Sequence, residues 1–264
     1  FWISTHPEYY VKNPQGGLFY DCDWTDTAKL DYTNPALRQE MTGVYDYWLG
    51  FLGPDSAGQP DGVDGFRLDM AHFINDKSFW NEAVPTLRAK HAGRELLFLA
   101  ECYGTQNNLD LFTRGINAAY DDDFYKVCHY LYALTETGQS TISLSSDARS
   151  NADFIDKYEA FKSKGIAGAM ETALVNYEGV LPPGEDSPRL ARYTDNHDEG
   201  RGLYRFGEGA VRAVGQLIFL SNHCIPFLLT GQEFGAINRP SIHDRMGRCD
   251  KGRRIAGDNS TQYL

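Results

Sequence analysis

Five short segments rich in apolar residues recur along the chain, and turn-forming or polar residues bound each of them. They cover Val63–Leu68, Glu95–Ala100, Ile116–Tyr120, Arg189–Thr194 and Ile225–Leu229. Short apolar runs of this kind are typical of strands buried on both faces, as in a parallel sheet. The segments between them return apolar residues every three or four positions, which predicts helices. The pattern therefore predicts an α/β fold with a mainly parallel sheet.

Several of the predicted helices have recognisable starts. Asn34 precedes Pro35, which suits the first helical position, and an apolar stripe of Leu37, Met41, Val44, Trp48 and Leu52 follows. Asp76 is expected to cap a second helix that runs through Leu87. Further helices are predicted over residues 108–115, 124–138, 151–164 and 208–220. Residues 1–34 carry many turn residues and predict a loop-rich segment.

Polar side chains follow the carboxyl ends of successive predicted strands. Arg67 and Asp69 end the first strand, Glu101 follows the second, and His197-Asp198 follow the fourth. This distribution is typical of catalytic residues in a (β/α)8 TIM barrel, and no Gly-rich phosphate loop follows any strand. We therefore divide the chain into a loop-rich segment, 1–34, and an incomplete catalytic barrel, 35–264, because the pattern predicts five strands and not eight.

Two of these carboxylates suit the hydrolysis of a glycosidic bond. Taken alone, Arg67 and Asp69 are equally consistent with a surface salt bridge, but Glu101 offers the second carboxyl that acetal hydrolysis requires. Arg67 favours the ionised form of Asp69, whereas the apolar run before Glu101 favours a protonated carboxyl. The expected roles are Asp69 as nucleophile and Glu101 as acid.

Composition narrows the classes of partner. The net charge of −11 argues against nucleic acid and anionic membranes, and the longest apolar stretch, Val211–Leu229, is interrupted by polar residues and Pro226. The five cysteines lack metal-ligand spacing, and we interpret them as unpaired thiols that favour a cytoplasmic location. The triplet Asp121-Asp122-Asp123 is interpreted as a solvated turn in preference to a cation site.

Longer motifs around the same residues carry a resemblance. The stretches Gly65–His72, Phe98–Glu101 and Tyr193–Glu199 resemble the fourth-, fifth- and seventh-strand signatures of glycoside hydrolase family 13, the α-amylase family. Leu30–Pro35 and Gly231–Glu233 are similar to the segments before its third barrel helix and at its eighth strand. The resemblance implies a retaining mechanism with Asp69 as nucleophile, Glu101 as acid/base and Asp198 as the third carboxylate.

The same resemblance assigns residues that bind substrate. It implies that Arg67 orients Asp69 and that His197 binds the sugar at the cleaved bond. His72 stands where many relatives carry a lysine that touches the leaving-side sugar, and Glu233 is expected to reach the cleft from strand eight. It implies no cofactor for the chemistry, and a structural calcium ion in the complete protein, for which Asp21, Asp23 and Asp26 are the candidates in this chain.

The departures from the family pattern are also informative. The third-strand signature and the first two strands have no counterpart here, so we expect this chain to supply about strands 4 to 8 and a missing N-terminal part of the same protein to be its partner. The predicted activity is retaining hydrolysis of α-1,4-glucans or maltooligosaccharides. The alternatives are an α-glucan transglycosylase of the same fold and a catalytically inactive scaffold subunit or fragment.

Overall fold

The computed structural model describes residues 3–21, 27–58, 60–125, 171, 177, 179–184, 186–199 and 201–237. The chain divides into two compact units, residues 1–120 and residues 121–264. The predicted helix 151–164, and all but the first two residues of the predicted helix 124–138, lie outside the described residues. The predicted boundary at residue 34 remains a prediction.

The first unit alternates helices and strands as the sequence predicts. Its elements are α1 (Pro35–Leu49), β1 (Gly53–Pro54), β2 (Pro60–Asp61), β3 (Gly65–Leu68), α2 (Ser78–Lys90), β4 (Leu97–Ala100), α3 (Thr105–Thr113) and β5 (Ala118–Tyr120). Strands β3, β4 and β5 pair in parallel in that order. Leu68 lies opposite Ala100, so Asp69 and Glu101 leave adjacent strands at the same level.

The segment before α1 is irregular but not featureless. A short 3-10 helix at Pro7–Tyr9 precedes three isolated antiparallel bridges, Tyr10–Leu30, Lys12–Leu18 and Tyr20–Ala28. The side chain of Asn34 accepts hydrogen bonds from the first free amides of α1, and Pro35 stands at the first helical position as predicted.

The face that α1 turns to the core differs from the predicted stripe. Leu37 and Leu49 are buried, and Met41 and Tyr45 pack against the core formed by α2 and the sheet. The predicted stripe residues Val44, Trp48 and Leu52 are exposed. The two stripes share Leu37 and Met41, and both have helical spacing; after Met41 the observed stripe is displaced by one residue from the predicted one.

Close backbone packing and one arginine fix the start of β3. A Cβ atom on Gly65 would lie 2.0 Å from the carbonyl oxygen of Leu97, so only glycine fits there. Arg94 donates to the carbonyl oxygens of Leu49 at 2.6 Å and Val63 at 2.7 Å, and to the carboxylate of Asp64 at 3.0 Å. The strand that carries Arg67 is thereby attached to the end of α1.

The second unit contains β6 (Arg189–Arg192), α4 (Gly202–Leu220) and β7 (Cys224–Pro226), and its two strands pair in parallel. The interpretation of residues 121–123 as a solvated turn is wrong, because all three aspartates are buried. Asp121 accepts a 2.8 Å hydrogen bond from Nε of buried Arg192, and burial raises the pKa of Asp121 to about 6 against the opposing charge of that arginine. In the described part of the chain, no helix is both long enough and apolar enough to cross a membrane.

Candidate active site

Arg67 stands at the centre of the polar cluster at the ends of β3 and β4. Its Nη1 atom forms an ion pair with Oδ1 of Asp69, and its Nη2 atom lies 2.9 Å from Oε2 of Glu101. Its Nε atom donates to the hydroxyl of Tyr120 at 3.4 Å, and the guanidinium lies 5.6 Å from the centre of that ring. A single guanidinium therefore bridges the two carboxylates that the sequence singles out.

The two carboxylates differ sharply in exposure. The side chain of Asp69 is 76% exposed, whereas that of Glu101 is 5% exposed. Burial raises the pKa of Glu101, and the charge of Asp69 acts in the same direction, although Tyr103, the amide of Met70 and Arg67 oppose both. The environment of Glu101 is therefore the desolvated one that the apolar strand before it predicts.

The turn after β3 directs backbone amides at Glu101. Met70 adopts a left-handed conformation with φ of 44°, which is rare for a residue with a side chain. Its N–H donates to Oε2 of Glu101 at 3.0 Å, and the N–H of Ala71 donates to the carbonyl oxygen of Glu101 at 3.0 Å. Backbone strain of this kind is concentrated at functional sites and persists where surrounding contacts hold it.

His72 lies beside this cluster but faces the protein. Its ring packs edge to face on Tyr103 at 5.6 Å between centroids and hydrogen bonds with the backbone of Glu101. Burial, helped by the charge of Lys77, lowers the pKa of His72 to about 4, so the ring is neutral at neutral pH. Its buried Nδ1 atom has no hydrogen-bond partner among the described residues. Contact of His72 with a sugar remains a prediction.

The second unit holds the other predicted residues on the loop after β6. Nε2 of His197 lies 3.0 Å from Oδ2 of Asp198. The buried side chain of Asn196 accepts hydrogen bonds from the amides of Asp198 and Glu199, both at 2.9 Å. The loop that presents Asp198 is thus closed by a side chain, as in an Asx turn.

The segment Gly231–Glu233 has a local structural role in the described structure. Gln232 donates to the hydroxyl of Thr194 at 2.9 Å, which links this turn to the end of β6. The carboxylate of Glu233 accepts from the amide of Gly231 at 2.7 Å. Binding of a sugar by Glu233 therefore remains a prediction, with its carboxylate already engaged in a turn.

Each unit brings some of the predicted residues together. Within the first unit, Arg67, Asp69 and Glu101 are in contact and His72 is adjacent; within the second, His197 pairs with Asp198. Sequence reasoning missed Tyr103, whose hydroxyl lies 2.7 Å from Oε1 of Glu101. It also missed Asn196, although an asparagine two residues before Asp198 is a recognisable turn signal.

The calcium prediction is untested by the described residues. Asp21 pairs with Nζ of Lys29 at 2.6 Å, and Asp23 and Asp26 lie outside the described residues. Across the ranges that the structure describes, no group of three His, Cys, Asp or Glu side chains is placed to hold a metal ion. Among the described residues, neither Cys102 nor Cys224 forms a disulfide bond.

Comparisons with known proteins agree with the predicted family. The profile described as "Alpha amylase, catalytic domain" matches residues 8–260. The chain is 23% identical over 241 residues to "Alpha-amylase 3" of Dictyoglomus thermophilum, covering 89% of this chain and 40% of that protein. It is 29% identical over 106 residues to an "Alpha-1,4-glucan:maltose-1-phosphate maltosyltransferase" of Rhodospirillum rubrum, covering 39% of this chain and 14% of that protein.

A solved structure shows the same fold. The crystal structure of an alpha-amylase from Lactobacillus plantarum superposes with a TM-score of 0.58 at 24% identity, over 90% of this chain and 49% of that one. The chain covers 40% of the Dictyoglomus protein and 49% of the Lactobacillus protein, so it spans less than half the length of each. The predicted α/β class, a partial (β/α)8 barrel, is confirmed. The chain belongs to the α-amylase catalytic-domain family.

Proposed function

We propose that the protein carrying this chain is a retaining α-glycoside hydrolase, with Asp69 as nucleophile and Glu101 as acid/base. The main support for the proposal is that the guanidinium of Arg67 contacts both the exposed carboxylate of Asp69 and the buried carboxylate of Glu101. Retaining glycosidases need two carboxyl groups with different protonation states at neutral pH. Exposure keeps Asp69 available for attack, and desolvation favours the proton on Glu101.

The chemistry follows in two steps. Glu101 gives its proton to the glycosidic oxygen as Asp69 attacks the anomeric carbon, so the C–O bond to the leaving sugar breaks and an ester to Asp69 forms. Glu101, now a carboxylate, then takes a proton from water, which attacks the same carbon and releases Asp69. The ion pair with Arg67 holds the side chain of Asp69 in place before the first step and after the second.

The proposed substrate is an α-1,4-glucan or a maltooligosaccharide. Membership of the α-amylase family supports this class, and the name of the maltosyltransferase relative includes an α-1,4-glucan. Within this proposal His197 and Asp198 bind sugar hydroxyls, because a histidine donor and a carboxylate acceptor side by side suit a vicinal diol.

The test uses a purified maltooligosaccharide and the protein that carries this chain. Asp69→Asn and Glu101→Gln are each expected to lower kcat by roughly 10³-fold or more, since each removes a group that reacts directly. Asp186→Asn, which changes an exposed carboxylate, is the matched control and should retain activity. Glu101→Gln should recover most of its first-step rate on a substrate whose leaving group needs no proton. Normal activity in both site variants would refute the proposal.

Product stereochemistry and length separate the finer possibilities. Proton NMR of the first sugars released should show the α anomer, and a β anomer would refute the retaining mechanism. The likeness to maltosyltransferases supports transglycosylation as the second candidate. In that case products longer than the substrate would appear early, before hydrolysis products accumulate.

A further inference from the structure

The two oxygens of Glu101 have different kinds of partner. Oε2 receives the Nη2–H of Arg67 at 2.9 Å and the amide N–H of Met70 at 3.0 Å. Neither of these groups can accept a hydrogen bond. Oε1 lies 2.7 Å from the hydroxyl of Tyr103, which can donate or accept.

This difference decides which oxygen can carry a proton. A proton on Oε2 would face two donors that point at the same atom, which is unfavourable. A proton on Oε1 meets a hydroxyl that can turn to accept it. The protonated form of Glu101 therefore has its proton on Oε1.

We propose that Tyr103 is a positioning residue whose hydroxyl pairs with Oε1 of Glu101 in both protonation states and so fixes where the exchangeable proton lies. The inference rests on the function proposed above. When Glu101 loses its proton from Oε1 to the glycosidic oxygen, the hydroxyl of Tyr103 turns to donate to the new carboxylate. When Oε1 takes a proton from water in the second step, the hydroxyl turns back.

The surroundings hold Tyr103 in place for this role. Its ring packs edge to face on His72, which is itself held by the backbone of Glu101. Its carbonyl oxygen accepts from the side chain of Asn107 at 2.9 Å in the first turn of α3. The hydroxyl is thus presented to Glu101 from the loop that follows the same strand.

Charged groups near Glu101 come from two elements. Arg67 lies on β3, and Asp69 follows that strand directly. Lys77 acts on neutral His72 from the turn before α2. Burial is the main cause of the raised pKa of Glu101, and the hydrogen bond from Tyr103 is the first of the groups that lower it. A hydrogen bond to the ionised carboxylate is stronger than one to the neutral acid, so the hydroxyl of Tyr103 stabilises the carboxylate more than the acid. Removing that hydroxyl should therefore raise the pKa of Glu101 further.

The experiment compares the wild-type protein with Tyr103→Phe, which keeps the ring that packs on His72. Tyr47→Phe is the matched control, since the ring of Tyr47 packs on Trp48 and Phe51 on the exposed side of α1. Glu101 is titrated by carboxyl ¹³C NMR in protein labelled at glutamate, with Glu101→Gln to assign its signal. The pH dependence of kcat/KM on a maltooligosaccharide is measured in parallel.

In Tyr103→Phe we expect the Glu101 titration to move to higher pH, and the alkaline limb of kcat/KM to move with it. The value of kcat/KM at the optimum should fall by about three- to tenfold, which is the range expected for the loss of one ordinary hydrogen bond. Tyr47→Phe should change neither the titration nor the profile.

Other outcomes overturn the inference in distinguishable ways. A Glu101 titration that is unchanged in Tyr103→Phe, in a protein that still hydrolyses the substrate, refutes the role of Tyr103 and leaves the proposed function intact. Wild-type protein without activity refutes the proposed function and with it the positioning role of Tyr103, even if the Glu101 titration moves. A tenfold loss of activity with no shift of either curve shows a role in packing only.

Discussion

Replacement of Arg67 by methionine tests whether one guanidinium holds both carboxylates. Methionine keeps much of the length of the side chain but removes its charge and all its donors. Glu101 then loses the donor at 2.9 Å on Oε2 while its side chain stays 5% exposed. Asp69 loses its ion pair, but its side chain is 76% exposed and water can replace the partner.

The expected cost comes almost entirely from Glu101. Breaking a buried ion pair costs about 3–5 kcal/mol, and the partial exposure of Arg67 reduces this to about 2–3 kcal/mol at about pH 8. The exposed pair with Asp69 adds at most about 0.5 kcal/mol. Protonation of Glu101 removes the unpaired buried charge, so the loss of stability in Arg67→Met depends on pH.

The direction of that dependence follows from the raised pKa of Glu101 in the folded protein. A carboxyl with a raised pKa contributes stability below its unfolded pKa and loses it as the pH rises through the folded pKa. Without Arg67 the pKa of Glu101 rises further, so the loss with rising pH becomes steeper. At about pH 5 the variant should therefore be destabilised by only about 1 kcal/mol.

Urea unfolding followed by tryptophan fluorescence measures this difference. The chain has four tryptophans, all within residues 1–120, so the signal reports on the unit that contains Arg67. Arg114→Met is the control, because it removes an i,i+4 pair with Asp110 on the surface of α3. The hydrogen bonds from Arg114 lower the pKa of Asp110, so this carboxylate is ionised across the range and the control effect should be small and constant. A loss in Arg67→Met that is equal at both pH values would refute the reasoning.

Four further substitutions test the packing within each unit. Asp121→Asn leaves buried Arg192 without its counter-charge and should cost about 3–5 kcal/mol, measured by urea unfolding with near-ultraviolet tyrosine circular dichroism. Gly65→Ala places a Cβ atom 2.0 Å from a carbonyl oxygen of β4 and should lower the free energy of unfolding by about 4 kcal/mol or more. Its control is Gly43→Ala inside α1, where the added Cβ atom meets no atom within 4 Å and should raise the free energy of unfolding by about 0.5–1 kcal/mol. Asn34→Ala removes the cap of α1 and should cost about 1 kcal/mol in thermal unfolding; an unchanged melting temperature would contradict the assigned cap.

The periodicity of the sequence was enough to predict the sheet but not every buried face. All five predicted strands occur, and each is two residues shorter than its predicted run, because the ends of a run pass into turns. The last strand, β7, also begins one residue before its predicted run, at Cys224. The predicted face of α1 is right at Leu37 and Met41 but wrong further on, because stripes through Leu49 and through Trp48 both have helical spacing. Only the contacts with α2 and the sheet distinguish them.

In the site too, contacts between residues close in sequence were predictable, whereas contacts between distant residues were not. Arg67 lies in β3 and Asp69 directly follows it, two positions along the chain, so their contact was predictable from the side-chain alternation of an extended backbone. The partner of Asp121 is Arg192, 71 residues away, and no local pattern indicates that the acidic triplet is buried with it. The role of Tyr103 was equally hidden, since its hydroxyl reaches Glu101 from an irregular loop.

The hydrogen bonds that Arg94 donates at the end of α1 and just before β3 have a practical consequence for protein engineering. The hydrogen bonds of Arg94 join Leu49, which precedes the β1–β2 hairpin, to Val63, which follows it. Residues 55–58, at the tip of the hairpin, are exposed. Exposed loop tips whose ends are fixed elsewhere tolerate added residues. A short peptide tag or fluorophore-acceptor sequence placed after Ser56 should report on this protein without moving the strand that carries Arg67 and Asp69.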